Sequence, residues 1–323
     1  MNKFGNIFTI TTFGESHGKA VGGVIDGMPA GMVLDLDAVQ TELDRRRPGQ
    51  STLTTARREA DKVEILSGIQ DGITLGTPIG FIIPNTDQRS ADYNALEQIY
   101  RPNHADYTYD AKYGLRSVAG GGRASARVTA PLVVAGAIAR QALGLMGISI
   151  SAKVMTVGGV SGSIEDMEAT IAAAKAEGDS LGGIVECTIK GTPAGLGEPV
   201  GGKLHAMLAH AMMSINAAKG FEYGDGFASS AMRGSEAADE FTAFSDGTIH
   251  TLTNHSGGIQ GGISNGEDIV FRVSFKPVPT INKPLQTIDK QHRTVTLQAT
   301  GRHDPCVVFR ALPIVEALSL IHI

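Results

Sequence analysis

Glycine sets the terms for this chain. Its 323 residues include 41 glycines with no period of three, so a collagen-like triple helix is excluded. The glycines gather in short clusters beside reactive side chains: TFGESHGKAVGG at 12–23, GGGRASAR at 120–127, GDGF at 224–227 and HSGGIQGGISNG at 255–266. Loops of that kind let a backbone approach a ligand closely. Between them lies ample material for a core, since 42% of the residues are hydrophobic and only 19% are charged. A disordered chain or a coiled coil would show the opposite balance.

Patterning places the elements. NIFTITT at 6–12 alternates and is β-branched, so it reads as a strand, and GGVIDGMP at 22–29 as a short strand and turn. DLDAVQTELDRRRPG at 35–49 is the clearest helix. Asp35 caps it, Leu36, Val39 and Leu43 form its apolar stripe, and Pro48 and Gly49 stop it. Strands are expected within 62–68, 76–85, 183–193 and 268–277. Helices are expected over 124–147, with Pro131 bending the helix or falling in its first turns, over 166–178, closed by Gly178, and over 203–215. Strands and helices are irregularly mixed and no linker breaks the chain. The expectation is an α+β fold, built in layers, with 1–323 as a single domain.

Several classes drop out. Neither the P-loop pattern nor G-x-G-x-x-G occurs, which removes the usual nucleotide cradles. The formal charge of -5 offers no global attraction to nucleic acid or an anionic membrane. No apolar run is long enough to span a bilayer and no secretory leader opens the chain, so a soluble, cytoplasmic protein is expected. Cys187 and Cys306 suit a reduced interior better than a disulfide framework. His205 and His210 are five apart, the wrong spacing for one helix face, so no metal site is expected.

The basic residues are clustered. Arg45, Arg46, Arg47, Arg57 and Arg58 form one group, Arg116, Arg123 and Arg127 surround the triple glycine, and Arg302 and Arg310 flank HDPC. Any one of them reads equally well as a solvated surface charge. Together, beside glycine, proline and histidine and away from acidic partners, they suit a small polyanion, because guanidinium forks grip phosphate and carboxylate. His17 and His104 lie in glycine-, proline- or asparagine-rich loops and are candidate proton carriers. Asp304 is a candidate base or a turn residue.

TTFGESHG, DRRRPGQS, NTDQRSADY, RPNHADYTYDAKYG, GGGRASAR, NHSGGIQGGISNG and GRHDPCVV, in that order from about residue 5 to residue 317, together resemble chorismate synthase. The resemblance implies a layered β-α-β sandwich assembled as a homotetramer. It implies loss of phosphate and a ring hydrogen from 5-enolpyruvylshikimate 3-phosphate to give chorismate, with reduced FMN as cofactor. It also implies roles for individual residues. His17 protonates the departing phosphate, His104 acts near the flavin N1–C2 edge, and Asp304 acts near N5 in the deprotonation. Ser16, Arg45, Arg46, Arg47 and Arg127 line the substrate site. Arg123, Ala124, Ser125, Asn216, Ala217, Gly261, Lys276, Pro277, Val278, Pro279, Thr280 and Arg302 hold FMN. Arg46 and the position of Thr52 are the family's possible NADP contacts.

Three positions depart from the pattern. Thr52 stands where many relatives have Arg, Val128 and Leu132 stand where many have Glu and Arg, and the chain ends LSLIHI at 318–323 where relatives continue a helix. A truncated end, with 318–323 non-native, is the expectation. Two other readings use the same arginines: a flavin-independent sugar-phosphate lyase or phosphatase, and a non-enzymatic anion- or RNA-binding module. The acidic charge and 5% aromatic content count against the module.

Overall fold

The computed structural model describes residues 2–49, 59–87, 96–245, 247–299 and 304–323. Among the described residues, six α-helices follow one another: α1 (Leu36–Arg46), α2 (Asp106–Tyr113), α3 (Ala130–Gly144), α4 (Ile164–Ala176), α5 (Leu204–Met213) and α6 (Val308–His322). Two of them dictate the architecture. All ten residues from Ala130 to Ala139 of α3 are buried, as are all nine from Pro313 to Ile321 of α6. A helix apolar on every side must be covered on every side. The cover comes from two sheets, with α1, α3, α5 and α6 between them. The result is the expected α+β sandwich of sheet, helices and sheet.

In the first sheet, Thr9–Gly14, Ala20–Asp26, Ile79–Pro84 and Glu64–Ile65 lie side by side, with Lys3–Phe4 on the outer edge. In the second the order is Ser149–Val157, Gly183–Lys190, Ile269–Phe275 and Ala218–Tyr223. Strand alternation decides which face turns inward. Ile79, Phe81 and Ile83 point to the helices from the first sheet, and Ile269, Phe271, Val273 and Phe275 from the second. The central helices cross where α3 carries Gly136, and a Cβ there would collide with Ala317 of α6.

The two halves of the molecule are copies of one unit. GMPAGM at 27–32 is matched by GTPAGL at 191–196, and GIQDGIT at 68–74 by GIQGGIS at 258–264. The structure repeats bond for bond. Thr74 Oγ1 donates to Pro29 O (2.6 Å) and accepts from Met32 N (2.9 Å). Ser264 Oγ donates to Pro193 O (2.6 Å) and accepts from Leu196 N (2.9 Å). Each half runs as two paired strands, a Pro-Ala-Gly turn, a helix, an edge strand, a short hairpin, an inner strand and a central helix. The apparent irregularity of the sequence comes from insertions in the second copy, chiefly α4 between its first two strands and residues 224–258 before its hairpin.

The expected helix over 35–49 is present as α1. Asp35 Oδ1 accepts from Ala38 N (2.9 Å), and Arg47 closes the helix onto Leu43 O (2.9 Å). The helix expected over 124–147 is shorter. Residues Ala119–Ala124 and Ala126–Thr129 form tight turns, and α3 begins only at Ala130, with Pro131 in its first turn, where its missing N–H costs nothing. The strand expected at 62–68 shrinks to Glu64–Ile65, and α2 forms in a segment with loop composition. Leu318, Ser319, Leu320 and Ile321 are buried in the last turns of α6. Both cysteines are free and buried, and burial pushes the Cys187 thiol up to about 12 and that of Cys306 to about 11. Among the described residues, no helix is long and apolar enough to cross a membrane.

The duplicated hydroxyls give a paired test. Thr74→Val and Ser264→Ala each strip a buried amide and carbonyl of a partner, so each should cost about 1–3 kcal/mol by urea denaturation. A cost in only one half would mean that the two turns are not equivalent.

A candidate anion-binding active site

The cavity that the sandwich leaves open measures about 470 Å³. It lies between the halves. Arg46, Gly120 and the segment Arg123–Ala126 face it from one side. Ile215–Ala217 and Phe275, Lys276 and Val278–Thr280 face it from the other. His104 and Tyr109 enter from the α2 region, and Val307, Arg310, Ala311 and Ile314 from the start of α6. Arg46, Arg123, Lys276 and Arg310 line it, and no carboxylate does among the described residues. A concave site with that charge selects anions.

A buried carboxylate outside the cavity holds one of its arginines, Arg46, together with Arg127, which does not line the wall. Asp61 is 1% exposed and sits at φ 47° in the left-handed region. Its Oδ2 accepts from Arg46 NH1 (3.0 Å), and its Oδ1 forms a very short ion pair with Arg127. Arg46 also reaches Thr129 Oγ1 (3.2 Å) and Ala126 O (2.8 Å), and Arg127 reaches Asn85 Oδ1 (2.6 Å) and Pro84 O (3.1 Å). Burial pulls the Arg46 pKa down to about 9, with Asp61 opposing it and Arg310 and Arg127 adding to it. Burial also works against the Asp61 charge, but Arg46, Arg127 and Arg310 prevail and hold it below the ordinary carboxylate range.

The triple glycine is shaped by the histidines around it. Gly120, Gly121 and Gly122 all have positive φ. A Cβ on Gly120 would run into the His17 ring, and one on Gly121 would come within 3.4 Å of His104 Nε2. His17 therefore lies directly behind the cavity wall, in the turn after Thr9–Gly14. The Ser16 hydroxyl, fully buried, lies 3.2 Å from His17 Nδ1 and 2.9 Å from Gly120 O, to which it donates. His104 packs against the next glycine, its Nδ1 2.9 Å from Asp106 Oδ1.

The structure gathers most of the anticipated residues. Arg123 spans from the glycine loop to Gly14 O (3.0 Å) and Thr12 Oγ1 (2.8 Å). Asn216 Nδ2 donates to Ala124 O (2.9 Å), joining the halves, and Ala217 follows at φ 70°. Ser125 caps the turn before α3 by accepting from Arg127 N. Lys276 lines the cavity, its pKa lowered by burial and then by Lys219. Others are not brought to the cavity wall. Arg45 grips Glu316 with NH1 (2.7 Å) and NH2 (3.1 Å), and Arg47 faces Asp44 (3.6 Å). Pro277 is exposed, and Gly261 lies at the tip of the hairpin Ile259–Ser264. Asp304 pairs with Arg310, whose Nε also donates to Arg46 O (3.1 Å). Thr52, Arg57, Arg58 and Arg302 lie outside the described residues.

Sequence reasoning passed over Asp61, Asn85, Arg101 and Asp106, the polar groups that hold the arginines and His104. Asp106 had a signal, two residues after a loop histidine. Asp61 had none, because its arginines come from distant segments. His205 stacks on Tyr223 with ring centroids 4.8 Å apart, and His210 is exposed. No group of three or more His, Cys, Asp or Glu among the described residues is arranged to hold a metal ion.

A cation-lined cavity, held between two sheet-and-helix halves with His104 at its wall and His17 behind it, has the features of an anion-binding enzyme site. Comparison with known proteins identifies the family. The family model for chorismate synthase matches residues 8–323. The chain is 54% identical to the chorismate synthase of Porphyromonas gingivalis, over 99% of this chain and 93% of that protein. It is 55% identical to that of Bacteroides fragilis, over 98% and 95%. A crystal structure of chorismate synthase superposes with a TM-score of 0.78 at 29% identity, covering 98% of this chain and 91% of that one. The chain belongs to the chorismate synthase family, enzymes of the carbon–oxygen lyase class.

Asp61→Asn should leave two buried guanidinium groups short of a counter-charge and destabilise the fold by roughly 3–5 kcal/mol at neutral pH. The folded pKa of Asp61 is depressed, so its contribution is fully present above the unfolded value of about 4 and is lost as the pH falls toward the folded value. Urea unfolding should show the gap between the wild type and the variant narrowing as the pH drops below about 4. A gap independent of pH would remove Asp61 from this role.

Proposed function

We propose that this chain converts 5-enolpyruvylshikimate 3-phosphate to chorismate by eliminating phosphate and a ring hydrogen, with reduced FMN bound beside the substrate. The single observation behind this reading is a cavity whose wall, among the described residues, carries four cations and no carboxylate. Substrate phosphate and carboxylates together with a flavin phosphate would bring several negative charges there, and each charge-assisted contact to a guanidinium is a strong one.

The residues present suit that cofactor. Arg123 and Lys276 supply cations, Asn216 a carboxamide, and Gly120, Ala124, Ser125, Ala217 and Val278–Thr280 a close wall. Gly261, Pro277 and Arg302 complete the proposed set. Reduced FMN, when bound, supplies the electron transfer that eases loss of phosphate and recovers its electron, so no net redox change results. Arg46 binds and orients the anionic substrate, with Arg127 beside it on Asp61. Ser16 holds the His17 ring, and His17 delivers a proton to the departing phosphate, a general acid step. His104 holds a proton at the flavin side of the cavity, and Asp304 accepts the ring proton. The working unit is a cytoplasmic homotetramer.

His17→Ala should lower turnover by ~100-fold or more while substrate binding stays largely intact. Turnover measured anaerobically with chemically reduced FMN decides this, and an unchanged rate would remove His17 from the chemistry.

The enzyme accepts FMN already reduced elsewhere. No dinucleotide fingerprint occurs, and Thr52 stands at one of the two possible NADP positions. The other, Arg46, is committed to the anionic substrate in this reading. With substrate and FMN under anaerobic conditions, dithionite should start chorismate formation and NADPH alone should not. Steady NADPH-driven bleaching of flavin by the pure protein would show a reductase site.

A further inference from the structure

The segment Arg101–Asp106 forms a closed polar unit against the cavity. Asp106 is 4% exposed and takes four hydrogen bonds. Its Oδ2 accepts from Arg101 N (3.0 Å) and Arg101 Nε (2.8 Å), and its Oδ1 from Arg101 NH2 (2.9 Å) and His104 Nδ1 (2.9 Å). Arg116 adds a second cation, its Nε 3.8 Å from Oδ1. Burial opposes the Asp106 charge, but the hydrogen bonds from Arg101 and His104 outweigh it and hold the carboxyl far below its usual range.

An ionised carboxylate can only accept, so the ring nitrogen facing it must donate. Arg101 NH2 also lies 3.0 Å from His104 Nδ1, and a guanidinium can only donate. The two contacts demand opposite tautomers. The alternative tautomer would set an imidazole lone pair against a buried anion at 2.9 Å, while Arg101 NH2 already has a carboxylate oxygen at the same distance. The carboxylate therefore decides the matter. Nδ1 carries the hydrogen, and Nε2, on the far side of the ring beside Gly121, is left for proton exchange.

The geometry points to Asp106 as a positioning residue, with Arg101 as its anchor, that fixes the tautomer and orientation of His104 so that Nε2 is its working atom. The inference rests on the proposed catalytic role of His104 and adds what that role requires.

The test has a spectroscopic arm and a kinetic one. Two-bond nitrogen–proton spectra of histidine-labelled protein, with His104 assigned through His104→Gln, read the tautomer directly. The wild type should show hydrogen on Nδ1 of His104, and Asp106→Asn should move a measurable fraction of the neutral ring to the Nε2 tautomer. In anaerobic assays with reduced FMN, Asp106→Asn should lower kcat by about 10- to 100-fold with FMN affinity little changed. On a His104→Gln background it should cause no further loss. Asp106→Glu should restore part of the rate. If Asp106→Asn fails to fold, the paired variant Arg101→Gln/Asp106→Asn removes both buried charges together and carries the same expectations. Hydrogen on Nε2 in the wild type, an unaltered tautomer in the variants, or an equal further loss without His104 would each overturn the inference. If His104→Gln alone keeps full turnover, the role of His104 fails instead, and the spectra still decide whether Asp106 sets its tautomer.

Discussion

A carboxylate in the core, Asp61, fixes the point where the end of α1, the turn before α3 and the start of α6 meet. Two arginines from different parts of the chain converge on it, Arg46 from the end of α1 and Arg127 from the turn before α3. Removing either partner would strand a charge away from water, which is why such clusters hold their geometry. Arg310 closes onto the Arg46 backbone and ties the start of α6 to the same point. Two cations of the cavity, Arg46 and Arg310, are thus fixed before any ligand arrives, and fixed charges stabilise developing charge without having to reorganise.

A second buried carboxylate, Glu316, organises another face of the same end of α1. Arg45, Arg140 and the Ala152 amide all bond to it. Adjacent arginines on α1 are therefore divided between two anions. Arg46 turns toward Asp61 and the cavity, and Arg45 turns toward α6. On a helix, consecutive residues point about 100° apart, so a run of three arginines cannot serve one ligand from one face.

What the sequence disclosed follows from range. Asp35 capping α1, Pro131 in the first turn of α3 and the alternation of Ile79–Pro84 depend on near neighbours, and each was legible. The glycine loop with His17, His104 and Arg123 was legible too, because its composition is unusual. Asp61 was not, since its meaning depends on Arg127, which is distant in sequence. α2 was missed for a different reason. Its sequence, DYTYDAKY, has no apolar stripe, and only Asp106 is buried in it. The resemblance of GIQDGIT to GIQGGIS was visible but went unread, because each is a short turn-forming segment and turns recur for local reasons.

The twofold repetition of the unit has a genealogical consequence. A half-length ancestor with these turns, strands and helices would have buried its central helix only against a second copy of itself, as a symmetric dimer. Any cleft on that dyad would have been lined twice by the same residues. Joining the copies in one chain ended that obligation. At the joint between helix and edge strand, where both copies keep a non-glycine residue with positive φ, one now carries Asp61 and the other Ala217 beside Asn216. One flank gathers arginines and the other offers a neutral amide and small side chains. A single pocket could then accommodate two chemically different guests, which a true dimer of identical halves cannot do without using its two sides alike.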